Sequence, residues 1–125
     1  LGSIALQWLP PTIEKNLIEK NILSTAWMVG TLDLTSLPAP LQHLKISGNR
    51  FEGEITLTSL PPEMESLNVS YNRLCGSLDL TSLPPKMSVL FLCGNRFEGM
   101  TDFTKLPESL TEIDVSTNEN LQGVI

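Results

Sequence analysis

The chain has 125 residues, of which 41% are hydrophobic and 18% are charged, a composition typical of one globular domain rather than of a disordered segment. Its 8 Lys and Arg residues against 14 Asp and Glu residues give a net charge of -6, which disfavours nucleic acid because phosphate backbones bind basic surfaces. No apolar run approaches the roughly 20 residues that span a bilayer, and no stretch has the basic-then-apolar order of a signal peptide. We therefore expect no nucleic-acid partner and no membrane insertion.

The first unit of the chain is irregular. Residues 2–11, GSIALQWLPP, match residues 53–62, GEITLTSLPP, position by position. The pattern then breaks, because Gly30 follows Asn21 by nine positions instead of the four seen in later units. This insertion contains three consecutive apolar residues, which we expect either to cap the first unit or to mediate self-association: Trp27, Met28 and Val29.

A regular repeat begins at Gly30. Four equivalent asparagines lie 23 residues apart: Asn49, Asn72, Asn95 and Asn118. A fixed period of this length indicates a solenoid, in which each unit buries its apolar residues against the next. We treat residues 1–125 as one domain of about five repeats, with a degenerate first repeat and an incomplete last one, bounded at 1–29, 30–52, 53–75, 76–98 and 99–125.

Each regular repeat has three parts. Alternating apolar residues before each asparagine predict a short strand with one buried face, formed by Leu44, Ile46, Leu67, Val69, Leu90, Leu92, Ile113 and Val115. A turn follows that is closed by glycine and holds an inward apolar residue, such as Phe51, Leu74 or Phe97. The third part, of the type GxLDLTSLPP, ends in prolines, which predict an extended limb with at most a short strand or turn.

The asparagines and cysteines receive structural interpretations. A buried asparagine amide can pair with backbone groups that a turn leaves without partners, so we assign the four asparagines to a structural ladder. Cys75 and Cys93 occupy different positions of their repeats, so we expect two free thiols, which favour a reducing, cytoplasmic compartment. The opposing signal is the sequon at Asn68, because a glycan there would require secretion.

The strand and asparagine pattern LxxLxLxxNxFxG resembles the leucine-rich repeat. It is present as Leu41, Leu44, Ile46, Asn49, Phe51 and Gly53, and again as Met64, Leu67, Val69, Asn72, Leu74 and Gly76. The third part lacks the proline of the plant-type G-x-I-P step and is closer to the repeats of protist proteins. The resemblance implies a repeat solenoid, mainly β with irregular return limbs, that is right-handed, has a parallel sheet on its concave side and contains little α-helix. It also implies a protein-binding role.

The residues between the buried ones form the outward face of the predicted sheet. Val89, Phe91 and Cys93 make an apolar centre between a basic side and an acidic side, as protein contact sites do. The alternative is that these are scattered apolar surface residues, which are normal. We predict the following partner-binding residues: His43, Lys45, Asn68, Tyr71, Val89, Phe91, Cys93, Glu112 and Asp114.

Catalytic and metal chemistry is poorly supported by the sequence. His43 is the one histidine, with no Ser or Cys nucleophile and orienting acid predictably in reach. One histidine and two separated cysteines do not make a zinc site. Glu112 and Asp114 could act together in acid–base catalysis or bind calcium, but on an open sheet we expect them to be solvated charges. We therefore expect no enzyme, no catalytic residue, no cofactor and no metal.

Two functions remain open. The first is a noncatalytic protein–protein interaction module that binds a protein or peptide on its concave sheet. The alternative is a structural or self-assembling unit that forms homo-oligomers through uncapped solenoid ends, because an open apolar end of a repeat stack needs cover.

Overall fold

The computed structural model describes residues 29–124 and shows a β-solenoid with two parallel sheets. In chain order its strands are Val29–Thr31 (β1), His43–Lys45 (β2), Arg50–Glu54 (β3), Ser66–Asn68 (β4), Arg73–Gly76 (β5), Val89–Phe91 (β6), Arg96–Asp102 (β7), Glu112–Asp114 (β8) and Asn120–Val124 (β9). One sheet has the order β2-β4-β6-β8 and the other β1-β3-β5-β7-β9. Between residues 29 and 124 there is no helix, which confirms the predicted mainly-β repeat solenoid. It follows that no helix in this range could cross a membrane.

The four-stranded sheet is the one that the alternating apolar residues predict. Its strands pair in parallel with an offset of 23 residues, as between Leu44 and Leu67 or Leu67 and Leu90. This offset equals the sequence repeat, so equivalent residues of successive turns are direct neighbours across the sheet. Outward residues therefore form straight rows, with alternate residues of each strand on opposite faces.

The five-stranded sheet was not predicted, because the sequence after each asparagine was interpreted as a turn. Paired residues in this sheet are 21 apart, as Glu52 is from Arg73 and Cys75 is from Arg96. This offset is two residues shorter than the repeat, so each strand is displaced by two positions relative to its neighbour. An even displacement keeps inward residues beside inward residues. The last pair, β7 with β9, has an offset of 22 because the final turn contains one extra residue.

This displacement explains the repeated glycine. It places the closing glycine of each turn beside the inward apolar residue of the next turn, in the pairs Gly30–Phe51, Gly53–Leu74, Gly76–Phe97 and Gly99–Leu121. At Gly76 the backbone has a φ of 88°, and a Cβ would lie 2.7 Å from Cγ of Glu54. A larger residue there would be strained. Glycine also weakens the strand signal in a sequence, which is why alternation alone missed this sheet.

The apolar core fills the space between the two sheets. Its largest fully buried side chains include Phe51, Phe97, Leu44, Met64 and Leu67. The last turn differs, since Ile113 is 36% exposed and Val115 is half-buried. The prediction that these two residues are buried is therefore wrong, because within residues 29–124 no further turn packs against them.

Prolines close each return limb. The backbone N–H three positions after a proline donates a hydrogen bond of 3.1 Å to the proline carbonyl, in the pairs Leu41 to Pro38, Met64 to Pro61, Met87 to Pro84 and Leu110 to Pro107. These tight turns confirm the prediction of an extended limb without helix.

The ladder asparagines join neighbouring turns at the edge where the chain passes from one sheet to the other. Asn95 donates through Nδ2 to the carbonyls of Leu92 and Cys93, both at 3.2 Å, and to that of Val69 in the preceding turn at 3.1 Å. Its Oδ1 accepts from the N–H of Leu74 at 3.0 Å. The same four bonds recur at the neighbouring ladder members, Asn72 and Asn118. Asn49, the first member, is likewise buried.

Candidate functional site

The outward rows of the four-stranded sheet bring together most of the predicted partner-binding residues. The first row is His43, Ser66, Val89 and Glu112, and the second is Lys45, Asn68, Phe91 and Asp114. We call these eight residues the sheet face. Seven of them were predicted from the sequence, and Ser66 was not.

The centre of the sheet face is apolar and its two sides carry opposite charge. Val89 and Phe91 are half-buried neighbours on β6, whereas Lys45 and Glu112 on the outer strands are exposed. Asp114 lies directly beside Phe91. The face can therefore offer an apolar contact flanked by a cation on one side and carboxylates on the other.

Hydrogen bonds fix two polar residues of the second row, Asp114 and Asn68. The Oδ1 atom of Asp114 accepts from the backbone N–H of Ser116 at 2.9 Å and from its hydroxyl at 2.6 Å. The bond from the Ser116 hydroxyl is the main cause that lowers the pKa of Asp114, with the backbone bond second, so this carboxylate is charged at neutral pH. Asn68 makes the same pair of contacts with Ser70, at 3.0 Å and 2.5 Å.

Cys93 is not an accessible part of the apolar centre. It is only 6% exposed, and its thiol lies within hydrogen-bonding reach of Ser70 and Asp114. Burial raises the pKa of the Cys93 thiol, and the charge of Asp114 adds to that effect. The prediction that Cys93 contributes exposed apolar surface is therefore wrong. The prediction of free thiols is confirmed for Cys75 and Cys93 alike.

His43 has a hydroxyl partner that its place in the repeat does not predict. Its Nδ1 lies 2.6 Å from Oγ of Ser66 on the next strand. Within residues 29–124 no carboxylate forms an ion pair with His43, so the pair lacks the third group that orients a histidine base. The contact can hold the imidazole in place on the sheet face.

Tyr71 lies apart from the sheet face, at the edge formed by the asparagine turns. It is 62% exposed and has a φ of 56°, in the left-handed region that favours glycine. A cleft of about 450 Å³ opens beside it and is lined by residues of three consecutive turns, namely Tyr71, Asn72, Gly94, Asn95, Arg96, Phe97, Thr117, Glu119 and Asn120. We call this feature the edge cleft.

The edge cleft does not follow from the repeat pattern, although two signals for it are present in the sequence. Tyr71 and Thr117 stand where the equivalent residues of other turns are glycine, and the last asparagine turn has one extra residue. Each signal is a departure from the repeat. The two departures meet in one cleft only because three turns lie side by side, which is a property of the fold and not of a single repeat.

The remaining predicted features lie elsewhere or outside the described range. Trp27 and Met28 precede residue 29 and lie outside the described residues, and Val29 begins β1, where it is half-buried. Among residues 29–124 no group of three or more His, Cys, Asp or Glu side chains could hold a metal ion. No protein-family model, curated protein or solved structure matches the chain.

Proposed function

We propose that the chain is a noncatalytic interaction module of the leucine-rich-repeat type that binds a protein or peptide across the sheet face. The observation that carries this proposal is the register of β2, β4, β6 and β8, which sets two apolar side chains between oppositely charged sides. The 23-residue spacing of the asparagines and the two-sheet solenoid support the assignment to this repeat type.

The chemistry of the sheet face specifies the kind of partner. Four strands at a spacing of about 4.8 Å give a platform about 14 Å wide, enough for a short peptide segment. An apolar side chain of the partner would pack on Val89 and Phe91. An acidic group would face Lys45, and a basic group would face Glu112 and Asp114, because complementary charges fix orientation.

Selection from a phage-displayed random peptide library on the immobilised chain tests this proposal. We expect peptides with an acidic end, an apolar middle and a basic end. Phe91→Asp should abolish their binding, because a carboxylate would replace the apolar contact beside Asp114. Met100→Asp is the matched control, since Met100 is 60% exposed on β7 of the other sheet. A melting curve of each variant establishes that it is folded.

A charge reversal gives an independent check. Lys45→Glu changes one exposed side chain and should reverse the charge preference at one end of the selected peptides. Peptides that bind the Phe91→Asp variant as well as they bind the unaltered chain would overturn the proposal. An equal loss of peptide binding in Met100→Asp would also overturn the proposal.

Self-assembly through the end of the solenoid is the second candidate. It is favoured by Ile113, which is exposed whereas its equivalents Leu44, Leu67 and Leu90 are buried. Light scattering over a range of concentrations tests it. A mass that rises with concentration, and falls to that of a monomer in Ile113→Lys, would support assembly through this end. A constant monomer mass would contradict it.

A further inference from the structure

The edge cleft is built from departures from the repeat. The position before the ladder asparagine is glycine in two turns, Gly48 and Gly94, and is Tyr71 and Thr117 in the other two. All four residues have a positive φ, between 56° and 73°. This conformation is strained for tyrosine and more so for a β-branched threonine. Tyr71 and Thr117 thus occupy positions where the backbone conformation favours glycine, and both line the cleft.

The third departure lies on the same wall as Thr117. The last asparagine turn contains one more residue than the others, so Glu119 and Asn120 stand where the preceding turn has Arg96 alone before its inward Phe97. Both Glu119 and Asn120 line the cleft. In a repeat protein the common residues maintain the fold, so departures that converge on one cleft indicate a function.

Tyr71 provides an aromatic wall. A Cβ atom at Gly94 would overlap the Tyr71 ring, so the ring lies directly over this glycine. The ring nevertheless remains largely exposed. Phe97 is fully buried, so it contributes only to the floor. One flat aromatic surface is therefore available to a ligand.

The polar groups of the cleft are opposite in charge and available. Among residues 29–124, neither the guanidinium of Arg96 nor the carboxylate of Glu119 has an ion-pair partner. Two backbone N–H groups of the cleft are already used, since that of Tyr71 donates to the carbonyl of Cys93 at 2.9 Å and that of Gly94 donates to the carbonyl of Ser116 at 3.1 Å. At these two positions a ligand would meet side chains rather than free N–H groups.

These features select a ligand by its hydrogen-bonding chemistry. Arginine only donates and an ionised glutamate only accepts, whereas a hydroxyl does both. A carboxylate or phosphate would suit Arg96 but be repelled by Glu119, and an ammonium group would meet the reverse problem. An extended peptide would seek free backbone partners, and the N–H groups of Tyr71 and Gly94 are already bonded to the neighbouring turns. Hydroxyl groups around a ring with an apolar face satisfy all these conditions.

We infer that the edge cleft binds a short neutral oligosaccharide, with one sugar ring stacked on Tyr71 and its hydroxyls paired with Arg96 and Glu119. A volume of about 450 Å³ lies within the range of small-ligand sites and suits a ligand of a few sugar rings. This site is separate from the sheet face, so the inference does not rest on the proposed protein-binding function.

The test is a titration of the ¹⁵N-labelled chain, followed by amide chemical shifts, with neutral trisaccharides of glucose, of mannose and of N-acetylglucosamine. At least one sugar should shift the amides of Gly94, Arg96 and Thr117. Tyr71→Gly should weaken that binding about tenfold or more, because it removes the stacking surface. This variant installs the residue that Gly48 and Gly94 already provide, so its melting temperature should stay close to that of the unaltered chain.

Two further variants and one competing ligand make the outcome decisive. Arg96→Gln should also weaken sugar binding, whereas Met100→Asp, at an exposed position of β7 outside the cleft, should leave it unchanged. The capped tripeptide Ala-Ser-Ala serves as the competing class of ligand. The inference would be overturned if only the peptide shifted the cleft amides, or if none of the tested ligands shifted them. Sugar binding that survives Tyr71→Gly would also overturn it.

Discussion

The Oδ1 atom of Asn72 accepts a hydrogen bond of 3.1 Å from the backbone N–H of Phe51, a residue of the preceding turn. Through Nδ2 the same side chain donates to the carbonyl of Ile46, also in the preceding turn, at 3.2 Å. One amide thus satisfies groups on both sides of the edge where the chain leaves the four-stranded sheet and enters the five-stranded one. The ladder is the polar counterpart of the apolar core between the sheets.

Asn72→Leu should lower the free energy of unfolding by about 3 kcal/mol, because it leaves the buried Phe51 N–H and several carbonyls without their partner. Denaturant unfolding measures the loss. Asn120→Leu is the matched control, since Asn120 is exposed on β9, and its effect should stay within about 0.5 kcal/mol. Equal stability of Asn72→Leu and the unaltered chain would refute the ladder's role.

Thr101→Val should raise the free energy of unfolding by about 1 kcal/mol. Thr101 is fully buried, and its hydroxyl has no hydrogen-bond partner among residues 29–124, which is unfavourable. Equivalent positions hold Ile55 and Leu78, so an apolar residue fits the site. Thermal or denaturant unfolding of the variant measures the effect.

The control for this prediction is Thr104→Val, the same change at an exposed site. The hydroxyl of Thr104 donates to Asp102 at 2.5 Å, so its removal should give no gain in stability. An equal gain at both positions would show that the gain at Thr101 does not come from removing its unpaired hydroxyl.

Stability should decrease in acid, in part through the aspartates of the return limbs. Asp33, Asp79 and Asp102 accept hydrogen bonds from the threonine two positions later, chiefly from its hydroxyl, and this lowers the pKa of each below the ordinary value of 3.8. A lowered pKa in the folded state contributes stability that is fully present above pH 3.8 and is lost as the pH falls through the folded value.

Replacing these three aspartates by asparagine should reduce the acid sensitivity. Asparagine can keep the turn, because Asn68 makes the same two bonds with Ser70, but it cannot be protonated in this range. Unfolding midpoints at neutral pH and below pH 3.8 compare the variant with the unaltered chain. An unchanged pH dependence would contradict the assignment of acid sensitivity to these three aspartates.

The two thiols should react at different rates. Cys93 is buried and the pKa of its thiol is raised by that burial, and the thiolate is the reactive form. Cys75 is half-buried. Reaction with a chromogenic disulfide should therefore be slower in Cys75→Ser, which retains Cys93, than in Cys93→Ser. Equal rates, or the reverse order, would contradict the burial of Cys93.

The sequence predicts the four-stranded sheet well because two independent periods agree. The 23-residue repeat sets which residues are neighbours, as Leu44 is of Leu67, and alternation sets which of them face inward. The second sheet could not be predicted in the same way. Its strands are short, contain a glycine such as Gly53 or Gly76, and pair two positions out of step with the repeat.

The sites were predicted less completely than the fold, for a related reason. Row membership follows from spacing, so the positions of Val89 and Phe91 on the sheet face were predictable. Side-chain contacts are not set by spacing, so the burial of Cys93 and the contact of His43 with Ser66 were not. The edge cleft could not be predicted from one repeat because it forms only where three turns lie side by side.

The most direct test of binding at the sheet face is an NMR titration of the isotope-labelled chain with a peptide from the library selection. We expect the largest chemical-shift changes at Lys45, Asn68, Val89 and Phe91, with the five-stranded sheet unchanged. Changes confined to β3, β5 and β7, with the sheet face unaffected, would contradict it.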